Sequence, residues 1–141
     1  MDKRKQFGNE GALRYDRPKR STQDKTAEQR KRFGTEGEQL VAAELKKQGF
    51  VVEHKNYRKP YGEIDLIASK KDLLVFVEVK RRTRAPFALG QLITPSKQKK
   101  IILVAQEYIA RYNHEEKYCR FDVALLVGKK ITYIPDAFME E

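Results

Sequence analysis

Gly62-Glu63-Ile64-Asp65-Leu66-Ile67-Ala68-Ser69-Lys70-Lys71-Asp72-Leu73-Leu74-Val75-Phe76-Val77-Glu78-Val79-Lys80 reads as two strands joined by a short polar turn. In the first strand Glu63, Asp65 and Ile67 share one face, and Ile64 and Leu66 the other, because side chains alternate along a strand. In the second, Leu74, Phe76, Glu78 and Lys80 share a face, with Leu73, Val75, Val77 and Val79 opposite. The second strand opens apolar on both faces, which predicts a central position in a sheet. A loop with an even number of residues sets Asp65 and Glu78 on one face. A four-residue loop, Lys70 to Leu73, places them directly opposite; a two-residue loop, Lys70-Lys71, makes them diagonal neighbours. Directly opposed side chains have Cβ atoms about 5 Å apart, and like charges that close are unfavourable without a cation between them. The plain alternative is a surface ladder in which Lys80 neutralises one acid.

On the N-terminal side of this stretch, Phe50–Asn56 reads as a strand and Tyr57–Gly62 as a turn around Pro60 and Gly62. Further upstream, Thr35–Gln48 reads as a helix stopped by Gly49, with a capped start also visible at Thr26. Val41, Ala42 and Leu45 form its apolar stripe, and Glu38 falls in the middle of it. A carboxylate there either faces the core with a partner, or rests by the helix dipole in the first turn. Downstream, Arg81–Ile93 is a basic loop, and Thr94-Pro95 caps a helix running to about Tyr112. Arg120–Val127 and Ile131–Pro135 complete the set as strands. The order α-β-β-β-α-β-β predicts one mixed sheet with flanking helices, an α/β fold, its fourth strand parallel to a neighbour through the helical crossover.

The chain has 141 residues, 30 Lys plus Arg against 20 Asp plus Glu, and a net charge of +10. That length suits one ordinary domain. Residues 1–34 hold 11 basic and 5 acidic side chains and a single Leu, Ile or Val, Leu13. So little apolar surface does not offset ordering entropy, and residues 1–33 read as a basic, flexible arm ahead of a domain over residues 34–141. A solubilising extension and a nucleic-acid-contacting arm are both consistent with it. The longest apolar runs span five residues, as in Leu73–Val77, far below the roughly 20 of a membrane helix. No signal peptide is visible, so a cytoplasmic location is expected and a membrane partner is not. The single cysteine, Cys119, leaves no internal disulfide or multi-cysteine zinc site. The basic balance points to a polyanion, nucleic acid first.

Two carboxylates, a peptide carbonyl and waters make an oxygen-rich site suited to Mg²⁺ or Mn²⁺. Asp65 followed after a hairpin by Glu78-Val79-Lys80 resembles the PD-(D/E)xK signature of restriction-endonuclease-like nucleases, with Ile64 where the signature has proline. Gly37-Glu38, Asn56-Tyr57-Arg58, Gly62 to Ala68, Phe76 to Arg82, Thr94 to Gln98 and Arg120 to Val123 resemble the YraN-like family. These are small bacterial proteins regarded as predicted endonucleases and similar to archaeal Holliday-junction resolvases. The resemblance spans about Gly34 to Phe138. It implies a restriction-endonuclease-like fold and a metal-dependent endonuclease hydrolysing phosphodiester bonds, with Mg²⁺ or Mn²⁺ as cofactor. It implies Asp65, Glu78, the Val79 carbonyl and Glu38 as metal ligands, and Lys80, Asp65, Glu78 and Glu38 as the catalytic set. Glu63 either orients Lys80 or flanks the site. The expected partner is nucleic acid, DNA foremost and branched forms included; a resolvase-like activity favours a homodimer. The alternative is a non-catalytic nucleic-acid-binding module that keeps the fold.

Four cations are candidates for gripping phosphates: Arg81, Arg82 and Arg84 after the Glu78 strand, and Lys97 in the first turn of the second helix. Lys97 shares a face with Ile101, Val104 and Tyr108, so it points partly inward; plain solvation is the other reading for all four. Asp122 reads as a structural partner of Arg120 or of backbone. Tyr57 and Phe87 suit either base stacking or the core.

Overall fold

The computed structural model describes residues 22–84 and 92–139. The chain divides into two compact units, residues 1–31 and residues 32–141, and the second contains the whole sheet. Helix α1 spans Thr22–Lys47. It begins earlier than the stripe at Glu38 to Leu45 suggests and enters the stretch read as an arm. Gln, Lys, Ala, Glu and Arg between Gln23 and Arg32 are all good helix formers, so the helix extends without an apolar face to announce it. Residues 1–21 of the expected arm lie outside the described residues, as does Phe87. At the other end, Gly49 adopts φ +95°. The Phe50 amide donates to the Leu45 carbonyl at 3.0 Å, and the helix stops there.

Five strands come after it: β1 (Val51–Lys59), β2 (Gly62–Lys70), β3 (Leu73–Arg82), β4 (Tyr118–Val127) and β5 (Lys130–Phe138), with α2 (Pro95–Arg111) between β3 and β4. They form one mixed sheet in the order β1-β2-β3-β4-β5. β3 and β4 run parallel and every other pair is antiparallel. The α2 crossover thus sets β4 beside β3, with β3 in the middle of the sheet, as its two apolar faces predict. β1 runs three residues past its predicted end at Asn56, because Asn56 absorbs a bend at φ 53° and pairing resumes at Tyr57.

The two helices cover opposite faces of the sheet. Val41, Ala42 and Leu45 of α1 pack on Leu66, Ala68, Val75, Val77, Ala124 and Leu126. Ile101, Val104, Ala105 and Tyr108 of α2 pack with Ile64, Ile67, Leu74, Phe76, Val123 and Leu125. Spacing of three and four residues brings each helical set to one stripe. Thr94 caps α2, its Oγ1 accepting from the Lys97 amide at 3.2 Å, with Pro95 next in the first turn.

β2 departs from simple alternation. Ile64 packs in the α2 core with Ile67, whereas Leu66 packs in the α1 core. Two residues two apart on opposite faces require a local twist at Asp65, so Ile64 and Leu66 do not share a face as alternation implies. In β1, Asn56, the position facing Asp65, is left-handed at φ 53° with the register kept on either side of it; the register shift of this strand lies between Val52 and His54. On its other side β2 pairs with β3 from Lys70↔Leu73 only as far as Leu66↔Val77.

Candidate active site

The β2–β3 turn is Lys71-Asp72, with Lys70 paired to Leu73. Its register is the one that sets Asp65 opposite Glu78, the pairing the longer of the two predicted loops would give. The ladder ends one step short of that pair, and the strands part there. Asp65 fills the gap with its side chain: Oδ2 accepts from the Val79 amide at 2.8 Å. A carboxylate thus takes the place of a ladder carbonyl and is fixed by it.

The opening lets both layers reach one cleft of about 430 Å³, lined by Glu38, Gly62, Glu63, Asp65, Glu78, Lys80, Arg81 and the first turns of α2. Gly62 sets how close α2 comes. A Cβ there would lie 3.1 Å from Val104 Cγ2 and 3.3 Å from the Lys100 carbonyl. A larger residue would push the start of α2, and Lys97 with it, away from the acids.

Glu78 is the most buried of the charged groups in the cleft, 6% exposed. Its Oε2 lies 3.1 Å from Lys97 Nζ and 3.9 Å from Lys80 Nζ. Lys80 is too far to hydrogen-bond this oxygen, and Lys97 stands beside it as an ion pair. Asp65 and Glu78 lie side by side where the ladder ends. Burial first, and then the neighbouring Glu78, push Asp65 up from its ordinary 3.8 to about 9. Two carboxylates at this separation share a proton or need a cation. Burial, together with the adjacent Lys97, lowers Lys80. Glu38 is raised by burial and by the charges of Glu63 and Glu78, against a hydrogen bond from Asn56 that lowers it.

The sequence-derived residues divide by place. Asp65, Glu78, Lys80 and Lys97 converge, and Glu38 reaches the same cleft from the α1 layer. Among the described residues no three His, Cys, Asp or Glu side chains converge as a ligand set, so Glu38 shares the cleft without joining the Asp65–Glu78 pair. Glu63 flanks the site, paired with Arg58 at 3.2 Å. Arg81 lines the cleft with Glu36 3.6 Å from its Nη1; Arg82 and Arg84 lie beyond it, both exposed. Tyr57 is core, its hydroxyl donating to Glu107. Asp122 is structural, held bidentately by Arg120 at 2.8 and 2.9 Å. Asn56, read in the sequence only as part of a motif, acts on the cleft from β1 by lowering Glu38. An Asn inside a strand is the available signal, since Asn is depleted in strands and tolerates φ > 0.

The donor set fits a hard divalent cation. Two adjacent carboxylates, one with a buried oxygen lacking any hydrogen bond, supply the charge such an ion needs. Mg²⁺ keeps several waters and requires only one or two protein carboxylates, so the missing third acid does not count against it.

The model of the uncharacterised protein family UPF0102 matches residues 37–126, a span holding every acid and lysine of the cleft. The chain belongs to this family. It is the YraN-like family that the motifs resemble. A UPF0102 protein of Desulfosudis oleivorans is 40% identical over 113 residues, covering 78% of this chain and 92% of that protein. A second, from Caldanaerobacter subterraneus subsp. tengcongensis, is 39% identical over 117 residues, covering 77% and 96%. Among solved structures, Archaeoglobus fulgidus Hjc, a Holliday junction resolvase from an archaeal hyperthermophile, is similar with a TM-score of 0.50 at 20% identity. The match covers 70% of this UPF0102 chain and 72% of Hjc. That likeness is one of fold, and it bears out the restriction-endonuclease-like architecture.

Proposed function

We propose that this UPF0102 protein is a metal-dependent endonuclease that hydrolyses phosphodiester bonds in nucleic acid, with DNA, including branched DNA, as substrate. The carrying observation is the cleft in which Asp65 and Glu78 lie side by side with Lys80 and Lys97 against the same carboxylate. Hjc, a resolvase of the same fold, adds support. Asp65, Glu78 and the Val79 carbonyl would hold Mg²⁺ or Mn²⁺, with Glu38 as a further acid of the same cleft. When bound, the ion would polarise the phosphate and lower the pKa of a water toward neutral. Lys80 places positive charge where negative charge builds on the phosphate oxygens. Arg81, Arg82, Arg84 and Lys97 grip phosphates on either side of the cut. No described helix is long and apolar enough to cross a membrane, and a cytoplasmic homodimer completes the proposal.

Incubation of the purified protein with branched, single-stranded and duplex DNA, and with RNA, tests the reading. Mg²⁺ or Mn²⁺ should support cleavage and chelator should stop it. Lys80→Ala should slow cutting about 10²–10³-fold, the usual loss of one such electrostatic stabiliser, with nucleic-acid affinity nearly unchanged. Chelator-insensitive binding with no cleavage of any substrate would make the chain a binding module instead.

Residues 1–33 belong to the same proposal as a basic segment contacting flanking phosphates. Log affinity should fall linearly with log salt through counterion release. Deleting residues 1–21 should flatten that slope and leave cleavage chemistry in place. An unchanged slope would make the segment a bystander.

A further inference from the structure

We propose that Lys97 is an internal counter-ion that occupies Glu78 while the cleft is free of metal, and is handed to the substrate phosphate when a divalent cation takes that carboxylate. The inference rests on the nuclease reading and deepens it, by giving the site an order of loading.

Two lysines face Glu78 Oε2, and they are not equivalent. Lys80 sits two residues further along β3, which the register with β4 holds at Leu125. It is 18% exposed and 3.9 Å away, so its place is fixed by the sheet. Lys97 is the nearer, at 3.1 Å, yet its side chain is 44% exposed. It approaches from the first turn of α2, on a four-carbon stem with solvent on its open side. Its hold on the cleft is an ion pair to a single oxygen, made from a side chain with solvent access.

A cation drawn to the two carboxylates meets Oε2 where Lys97 already lies. A divalent ion on Oε2 would lie against the Lys97 ammonium, 3.1 Å from the same oxygen, and the two repel. Lys80 is the less exposed of the two and the further from Oε2, so Lys97 is the one that yields. Its backbone stays anchored by Thr94. The displaced ammonium therefore remains at the cleft mouth beside Ser96 and Lys100, where an incoming phosphate is the available anion. Metal and nucleic acid are thereby coupled: each takes one side of the Glu78–Lys97 pair, and each raises the affinity of the other by the same factor.

Mn²⁺ titration of the nucleic-acid-free protein, followed by calorimetry, tests this without reference to turnover. Lys97→Met keeps the apolar stem and removes the competing charge. It should bind Mn²⁺ about tenfold more tightly than the parent, and Lys97→Arg, which keeps the charge, should stay close to the parent. With Ca²⁺ and fluorescent branched DNA, the gain in DNA affinity on adding metal should shrink in Lys97→Met. A lysine that only supports the fold would lower Tm on substitution and leave Mn²⁺ affinity alone. A parent that binds Mn²⁺ with a Lys97→Met protein of equal or weaker affinity overturns the counter-ion role and leaves the nuclease reading standing. Absence of Mn²⁺ binding in both proteins overturns the metal site itself, and the inference with it.

Discussion

Asp65→Asn is expected to remove metal affinity and cleavage together while the protein stays folded. The amide has almost the same volume. Its oxygen can still accept from the Val79 amide, the 2.8 Å bond that closes the end of the ladder. Its NH₂ can donate to the neighbouring Glu78 carboxylate. What goes is one of the two charges proposed to hold the ion, and the loss of rate should exceed that of Lys80→Ala. Stability should acquire a distinct pH signature. Asp65 is raised from 3.8 to about 9 in the folded, metal-free protein. The stability that its proton contributes is therefore fully present below about pH 4 and is lost as pH rises through about 9. The metal-free parent should lose Tm across that window, Asp65→Asn should lose less, and Mn²⁺ should restore the parent most at the alkaline end. Thermal melts from about pH 5 to about pH 9, with and without Mn²⁺, check this. Parallel pH curves for parent and variant would show that Asp65 does not carry the shared proton.

Asp122→Ala is expected to be the most destabilising change outside the cleft. The carboxylate is fully buried. It accepts from Arg120 twice, from the Tyr133 hydroxyl, and from the Asp136 amide at 2.9 Å. Asp136 lies at φ 53° in β5, where the strand leaves register, and the carboxylate pins that bulge. Truncation orphans a guanidinium, a buried hydroxyl and a backbone amide at once. Breaking a buried pair in this way costs about 3–5 kcal/mol, a fall in Tm of about 10–20 °C for a domain of this size. A denaturant midpoint within error of the parent would rule the network out as a structural pin.

The difference between these two acids is partly legible in the sequence. Asp122 stands two residues from Arg120 on a strand otherwise rich in Val and Leu, a spacing that puts both on one face. Parity brings Asp65 and Glu78 together, and the turn and register of the folded hairpin agree with it. The place of Lys97 on the α2 stripe is readable from its spacing to Ile101 and Val104. The parting of β2 from β3, and the change of face at Asp65, are not. They depend on Asn56 going left-handed and on α2 closing against Gly62, contacts between segments distant in sequence. Alternation alone carries no record of them. The early start of α1 is only half legible: the cap signal at Thr26 lies close to the observed start at Thr22, but no apolar stripe links it to the stretch from Glu38.

The ladder that ends before Asp65 leaves the Val79 amide bonded to a carboxylate, where the paired part of the hairpin meets backbone carbonyls. That one proton is a resident spectroscopic probe. Its ¹H–¹⁵N resonance senses the ionisation of Asp65 and the arrival of any cation there, at a residue that need not be altered to be observed. The state of the cleft can thus be followed in the unmodified protein before the first phosphodiester is tried.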